Sequence, residues 1–76
     1  MAFGICRLKN ISGSQKTWQD KVFEANEIYN IPDIDRVDWA SDDEVIQAIT
    51  SDELQIGSSS EFFTSYSDQI DWLKDY

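Results

Sequence analysis

The stretch Ile28-Tyr29-Asn30-Ile31-Pro32-Asp33-Ile34-Asp35-Arg36-Val37-Asp38-Trp39-Ala40-Ser41-Asp42-Asp43-Glu44-Val45-Ile46-Gln47-Ala48-Ile49 is where one kind of local structure gives way to another. It opens with β-branched and aromatic residues, Ile28, Tyr29 and Ile31, which suit a short strand. Pro32 stops that strand, because it has no N–H to donate to a ladder and its fixed φ suits the start of a helix. Ile34, Val37 and Trp39 then recur at roughly helical spacing, enough for one or two turns over Asp33 to Ala40. Ser41-Asp42-Asp43-Glu44 has the form of a capping box. The Ser41 hydroxyl is expected to accept from first-turn amides, Glu44 to reach back, and the acids to sit at the positive end of the dipole. Val45, Ile46 and Ile49 follow as the core-facing positions of that helix. Pro32 thus divides strands from helices, and the chain reads as α+β.

Working outward toward the N-terminus, Phe3 to Asn10 alternates, with Phe3, Ile5, Arg7 and Lys9 on one face and Cys6 with Leu8 on the other. Asn10 to Gln15 is a turn, since Gly13 can take positive φ and the Asn10 and Ser12 side chains can bond nearby backbone. The clusters Thr17-Trp18, Val22-Phe23 and Ile28-Ile31 read as further short strands of an antiparallel meander. Toward the C-terminus, Ser51-Asp52 stops the capped helix and Leu54-Gln55-Ile56 reads as a short strand that rejoins the sheet. Gly57-Ser58-Ser59-Ser60 is linker-like. Phe63, Tyr66, Ile70 and Leu73, spaced three, four and three, predict a second amphipathic helix, with Ser67 or Ser60 as its N-cap. The expected architecture is a small antiparallel β-meander followed by a capped helix, a short strand and a C-terminal amphipathic helix. It forms one domain over residues 1–76, a strand-rich core with a helix over 1–57 and a linker plus aromatic helix over 58–76.

A chain of 76 residues holds one core. Small cores bury a modest share of their surface, so large side chains must carry the packing; four Phe, three Tyr and three Trp supply them. Trp18 and Trp39 are expected inside for that reason, and Phe63, Ile70 and Leu73 by their helical period. There is no His, which excludes imidazole-based nucleophilic sites, and the single Cys6 allows neither an internal disulfide nor a Cys-rich zinc site. No apolar run approaches a membrane span, and MAFGICRLKN lacks the apolar core of a signal peptide. The expectation is a protein made in the cytoplasm, with no cofactor and no membrane partner. The Asn10-Ile11-Ser12 sequon is read as coincidental.

Charge is lopsided. Residues 1–23 carry Arg7, Lys9, Lys16 and Lys21 against Asp20, while residues 24–76 carry two cations against fourteen acids, for a net charge of -9. Such a body is repelled by phosphate backbones, so no direct nucleic-acid binding is expected. Asp33, Asp35, Asp38, Asp42, Asp43 and Glu44 form an acidic surface. They lack the alternation and central Gly of a calcium loop, so no metal is assigned to them. Their ordinary role is helix capping in a solvated surface. Their sharper one is mimicry of a phosphate backbone toward a basic groove. A chain this short leaves little room for a substrate cleft, and no enzyme activity is expected. In the C-terminal segment Phe62, Trp72 and Tyr76 fall off the apolar stripe, giving more aromatic surface than one helix face needs. These three are the candidate protein interface.

The segments Leu8 to Trp18, Glu27-Ile28-Tyr29-Asn30-Ile31-Pro32, Trp39 to Ile49 and Leu54-Gln55-Ile56-Gly57 together resemble small virion proteins of tailed bacteriophages, namely accessory, decoration or fibre-attachment modules. The resemblance implies a non-enzymatic structural protein of the virion, made in the host cytoplasm. It would dock on capsid, tail or fibre subunits in many copies, an arrangement that includes a homo-oligomer. The alternative function is a small acidic phage effector acting on a host nucleic-acid-binding protein through the carboxylates at Asp33 to Glu44, as a DNA mimic or anti-defence protein.

Overall fold

A computed structural model of the chain describes residues 4–75. It is an α+β fold with antiparallel strands in two ladders and helices on one side of the larger sheet. Strand β1 (Cys6–Asn10) lies at the centre of a three-stranded sheet, between β4 (Ile28–Ile31) and β5 (Leu54–Gly57). The chain between β1 and β4 folds out as a separate hairpin of β2 (Lys16–Trp18) and β3 (Lys21–Phe23). Gln19 and Asp20 both adopt left-handed backbone, φ 53° and 58°, the two-residue turn whose twist matches a hairpin.

The alternation in β1 is as the sequence implies: Cys6, Leu8 and Asn10 are buried, and Arg7 and Lys9 face outward. Phe3 lies outside the described residues. Register extends the pattern across the sheet, because Leu8 stands opposite Tyr29 and Ile56 whereas Lys9 stands opposite Ile28 and Gln55. The expected strand at Leu54 does rejoin the sheet, and Leu54 and Ile56 enter the core. Asn10 closes β1. Its Oδ1 accepts from the Ser12 N–H at 3.0 Å, and its Nδ2 donates to the carbonyls of Ser14, Phe23 and Glu24, tying strand, turn and hairpin together. Gly13 takes φ 85° in that turn. The burial of Asn10 removes the sequon from solvent.

After Pro32 comes a 3-10 turn, Asp33–Asp35, and then α1 (Arg36–Ala40) and α2 (Asp43–Thr50). Two readings of this stretch are corrected. The helical positions Ile34 and Val37 are exposed, at 85% and 45%, while Arg36, Trp39 and Ala40 turn inward. Of the three residues in that spacing Trp39 is inside as expected, and Ile34 and Val37 are outside because the 3-10 turn shifts the phase ahead of α1. The N-cap of α2 is Asp42, whose carboxylate accepts from the Glu44 N–H at 2.9 Å; Ser41 instead ends α1, its hydroxyl donating to the Val37 carbonyl at 2.7 Å. Asp42 has the extended backbone an N-cap requires, and Ser41 is still wound with the preceding helix. Val45 and Ile49 enter the core as expected, and Ile46 packs at its margin.

The Gly57-Ser58-Ser59-Ser60 stretch is a closed turn rather than a loose linker, with the Ser58 N–H on the Glu61 carbonyl at 2.7 Å and Gly57 bridged to Phe62. It leads to α3 (Tyr66–Lys74), capped by Ser65, whose hydroxyl accepts from the Asp68 N–H at 3.1 Å; neither Ser67 nor Ser60 is the cap. Leu73 and Gln69 are buried, and Tyr66 is exposed, its hydroxyl donating to Asp52 at 2.9 Å. That bond raises the Tyr66 phenol above its ordinary pKa. The outer edge of β5 is satisfied by this segment: Gln69 Oε1 accepts from the Ile56 N–H, and the Phe63 N–H bonds the Ile56 carbonyl, both at 3.0 Å. An edge strand thereby gains partners that it would otherwise seek elsewhere.

Candidate functional site: an aromatic groove on the last helix

Of the three aromatics singled out by sequence, Phe62 and Trp72 do not share one patch. In the extended stretch before α3, neighbouring side chains point to opposite sides. Phe62 lies on the open sheet face, with the Arg7 guanidinium 4.5 Å and the Lys9 ammonium 6.0 Å from its ring centroid. Phe63 turns instead to the helical side and meets Trp72, with centroids 5.8 Å apart and planes at 60°. Tyr76 lies outside the described residues. Both Phe62 and Trp72 are half-buried.

The indole of Trp72 is held from several directions. Its Nε1–H donates to the Ile5 carbonyl at 3.3 Å, and Gly4 packs directly against its six-membered ring. The Arg36 guanidinium lies 5.5 Å from its centroid. Arg36 is 1% exposed; its Nη1 donates to the Gly4 carbonyl at 3.1 Å and its Nη2 to the Trp72 carbonyl, while Nε has no partner. No ion pair involves Arg36 among the described residues. What offsets its buried charge is the last turn of α3, since a cation at a helix C-terminus meets carbonyls with partial negative charge. One side chain on α1 therefore clasps Gly4 to the final helix. Cys6 lies within the influence of that cation. Its burial pushes the thiol up to about 11, and Arg36 only partly offsets the shift. A thiol kept protonated in this way is unreactive packing material.

Beside Trp72 the outer flank of α3 opens into a groove of about 550 Å³, lined by Phe63, Asp68, Asp71, Trp72, Lys74 and Asp75. Positions 68, 71, 72 and 75 follow the spacing of a single helix flank, so the fold brings an aromatic pair and three carboxylates to one place. Phe63 is half-buried and outside the core, because the helical period that would place it inside runs one turn beyond the start of α3. The signal that locates it is Ser65-Tyr66-Ser67-Asp68, a Ser-x-x-Asp start that leaves Phe63 outside the helix.

The acidic surface is only partly gathered. Asp33 and Asp35 lie in the 3-10 turn, Asp38 on α1, and Asp42, Asp43 and Glu44 at the start of α2. Asp42 and Glu44 share a shallow depression of about 320 Å³ with Thr17, Gln19 and Asp20, and Gln19 donates to Asp42 across it. None of the six acids is in an ion pair among the described residues, where the ion pairs are Lys16–Glu53 and Lys21–Glu27. No group of three or more ligating side chains is placed to hold a metal among the described residues, and no helix there is long and apolar enough to cross a membrane.

Comparison with protein-family models, with curated proteins and with solved structures returns no match to this chain.

Proposed function

We propose that this chain is a non-enzymatic docking module, a small structural protein of the tailed-phage virion kind, which joins capsid, tail or fibre subunits through its C-terminal aromatic segment. The observation that supports this reading is the Phe63–Trp72 pair. Two large rings line an open groove while hydrogen bonds and packing hold one of them in place, so little conformational freedom remains to be lost when a partner covers them. Aromatic anchors of this kind supply most of the affinity in many protein interfaces. The phage assignment rests on the sequence resemblance.

The six acids, none of them in an ion pair among the described residues, favour a second reading, an acidic effector that occupies a basic groove on a host nucleic-acid-binding protein. A tagged pull-down from lysate of the expressing cell separates the two. Salt-resistant recovery of capsid, tail or fibre proteins, lost with Trp72→Ala, is the expected result. Salt-sensitive recovery of a host nuclease or DNA-binding protein, lost when Asp42, Asp43 and Glu44 become Asn or Gln, would overturn it in favour of the effector.

A further inference from the structure

We infer that the groove beside Trp72 takes a cationic side chain, arginine or lysine, presented by a basic segment of a partner protein. The inference rests on the docking reading above and names the chemistry of the partner. Its rings and its carboxylates make complementary demands on a ligand. Phe63 and Trp72 offer an apolar floor whose edge-to-face geometry suits the methylene stem of a long side chain, and Asp68 and Asp71 stand on the flank where the charged head would lie. Neither carboxylate is in an ion pair among the described residues. An anionic ligand would meet three carboxylates against the single Lys74. A wholly apolar one would cover Asp68 and Asp71 without giving them a partner, which is unfavourable. A guanidinium or ammonium on an aliphatic stem satisfies both parts, and an aromatic face adds its own attraction for a cation.

Two further features point the same way. The net charge of -9 draws cationic segments toward the molecule at long range. The groove is open and has Asp68 and Asp71 a turn apart along one flank of α3, which suits an extended segment offering more than one cation. The acids from Asp33 to Glu44 differ in this respect. The depression that Asp42 and Glu44 share is lined by Thr17, Gln19 and Asp20, with no ring to receive a stem.

The test is a titration of the isotope-labelled full chain with a blocked peptide of alternating Lys and Arg and with its all-Glu counterpart, followed by amide and indole N–H resonances. Saturable shifts at the Trp72 indole and over Asp68 to Asp75 are expected with the basic peptide alone. Asp68→Asn with Asp71→Asn should weaken binding roughly three- to tenfold, the scale of two partly exposed ion pairs, whereas Asp38→Asn with Asp43→Asn, the same change of charge elsewhere, should stay within about twofold. Phe63→Ala should weaken binding without changing charge. Equal weakening by both double variants would reduce the effect to bulk attraction and overturn the inference, as would shifts centred on Asp33 to Glu44. The two readings also separate. If a virion partner is still captured by the Asp68→Asn, Asp71→Asn chain but not by Trp72→Ala, docking stands and the basic partner falls.

Discussion

The molecule contains two groups of rings, and they are built differently. Trp18, Phe23, Tyr29 and Trp39 form a linked set with centroids 5.7 to 6.1 Å apart, in which the hairpin, β4 and α1 each contribute rings to the same core. Phe63 and Trp72 form a pair with similar spacing, 5.8 Å, half-buried at the edge of the core, where Trp72 packs against it, and beside carboxylates. In the first group each ring finds its contacts among the others, with Lys21 lying over Phe23 and Tyr29. In the second the indole is positioned by its bond to the Ile5 carbonyl, by the Arg36 guanidinium and by packing on Gly4 and the margin of the core, and part of its surface stays open. Ring content alone therefore does not distinguish core from contact surface. What distinguishes them is that polar contacts add to the packing of Trp72 and that part of this pair stays open.

The largest test of this contrast is a pair of truncations. Phe23 is fully buried and touches three other rings, so Phe23→Ala should cost about 3–5 kcal/mol in urea unfolding, near the whole stability of a domain this small. Phe63→Ala removes a half-buried ring and should cost about 1–2 kcal/mol. Equal losses would place both groups in one core and remove the case for the second as a docking surface.

A pH dependence probes the layer beneath the exposed pair. The Cys6 thiol titrates at 9.0 in an open environment and at about 11 when folded. Between those values the unfolded chain has lost a proton that the folded chain retains, so stability is fully present below about pH 9 and falls toward pH 11. At roughly 1.4 kcal/mol per pH unit, the loss is on the order of 2–3 kcal/mol. Other groups also titrate in this range, so the measurement is the difference in slope between the native chain and Cys6→Ala. The difference should vanish if the thiol is accessible.

Much of this architecture is legible in the sequence, because alternation in Cys6 to Asn10, the break at Pro32 and the stop at Ser51-Asp52 are local signals. The strand pairings are less so: that β2 and β3 leave the sheet while β5 joins it depends on contacts distant in sequence. Arg36 was invisible for a related reason. Its burial requires the Gly4 and Trp72 carbonyls, 32 and 36 residues away, to converge on it. Of the groove's two rings the sequence marks Trp72, which falls off the helical period, and hides Phe63, because that period runs through it whereas the Ser65 cap excludes it. The same competition decides Ser41 against Asp42, where two adjacent residues both carry capping side chains and the end of α1 selects between them. Asp42→Ala should cost about 1 kcal/mol and Ser41→Ala less, as read by urea midpoint. Because Gln19 donates to Asp42, the loss should also loosen the hairpin that carries Trp18, visible as faster amide exchange over Lys16 to Phe23. Equal costs for the two variants would restore Ser41 as the cap.

A substitution whose cost is no larger than that of the Asp42 cap bears most directly on the second ring group. A methyl group at position 4 would stand 2.6 Å and 2.7 Å from Cζ2 and Cη2 of Trp72, closer than carbon atoms approach, so Gly4→Ala must displace either the indole or the chain beside it. The indole can yield outward, since the groove beside it is open, and the cost should be about 1 kcal/mol, the low end for overpacking. Movement of the ring would lengthen its 3.3 Å bond to the Ile5 carbonyl, so the Trp72 indole N–H should shift and exchange faster while those of Trp18 and Trp39 stay unchanged. Such a chain would keep its fold and its carboxylates but lose the fixed aromatic floor. It therefore separates the two contributions to binding: reduced affinity for a partner in Gly4→Ala, at unchanged charge, would show that the clasp positions the ring for contact. Unchanged affinity would mean that the carboxylates act without it, and that the contrast between the two ring groups is one of exposure alone.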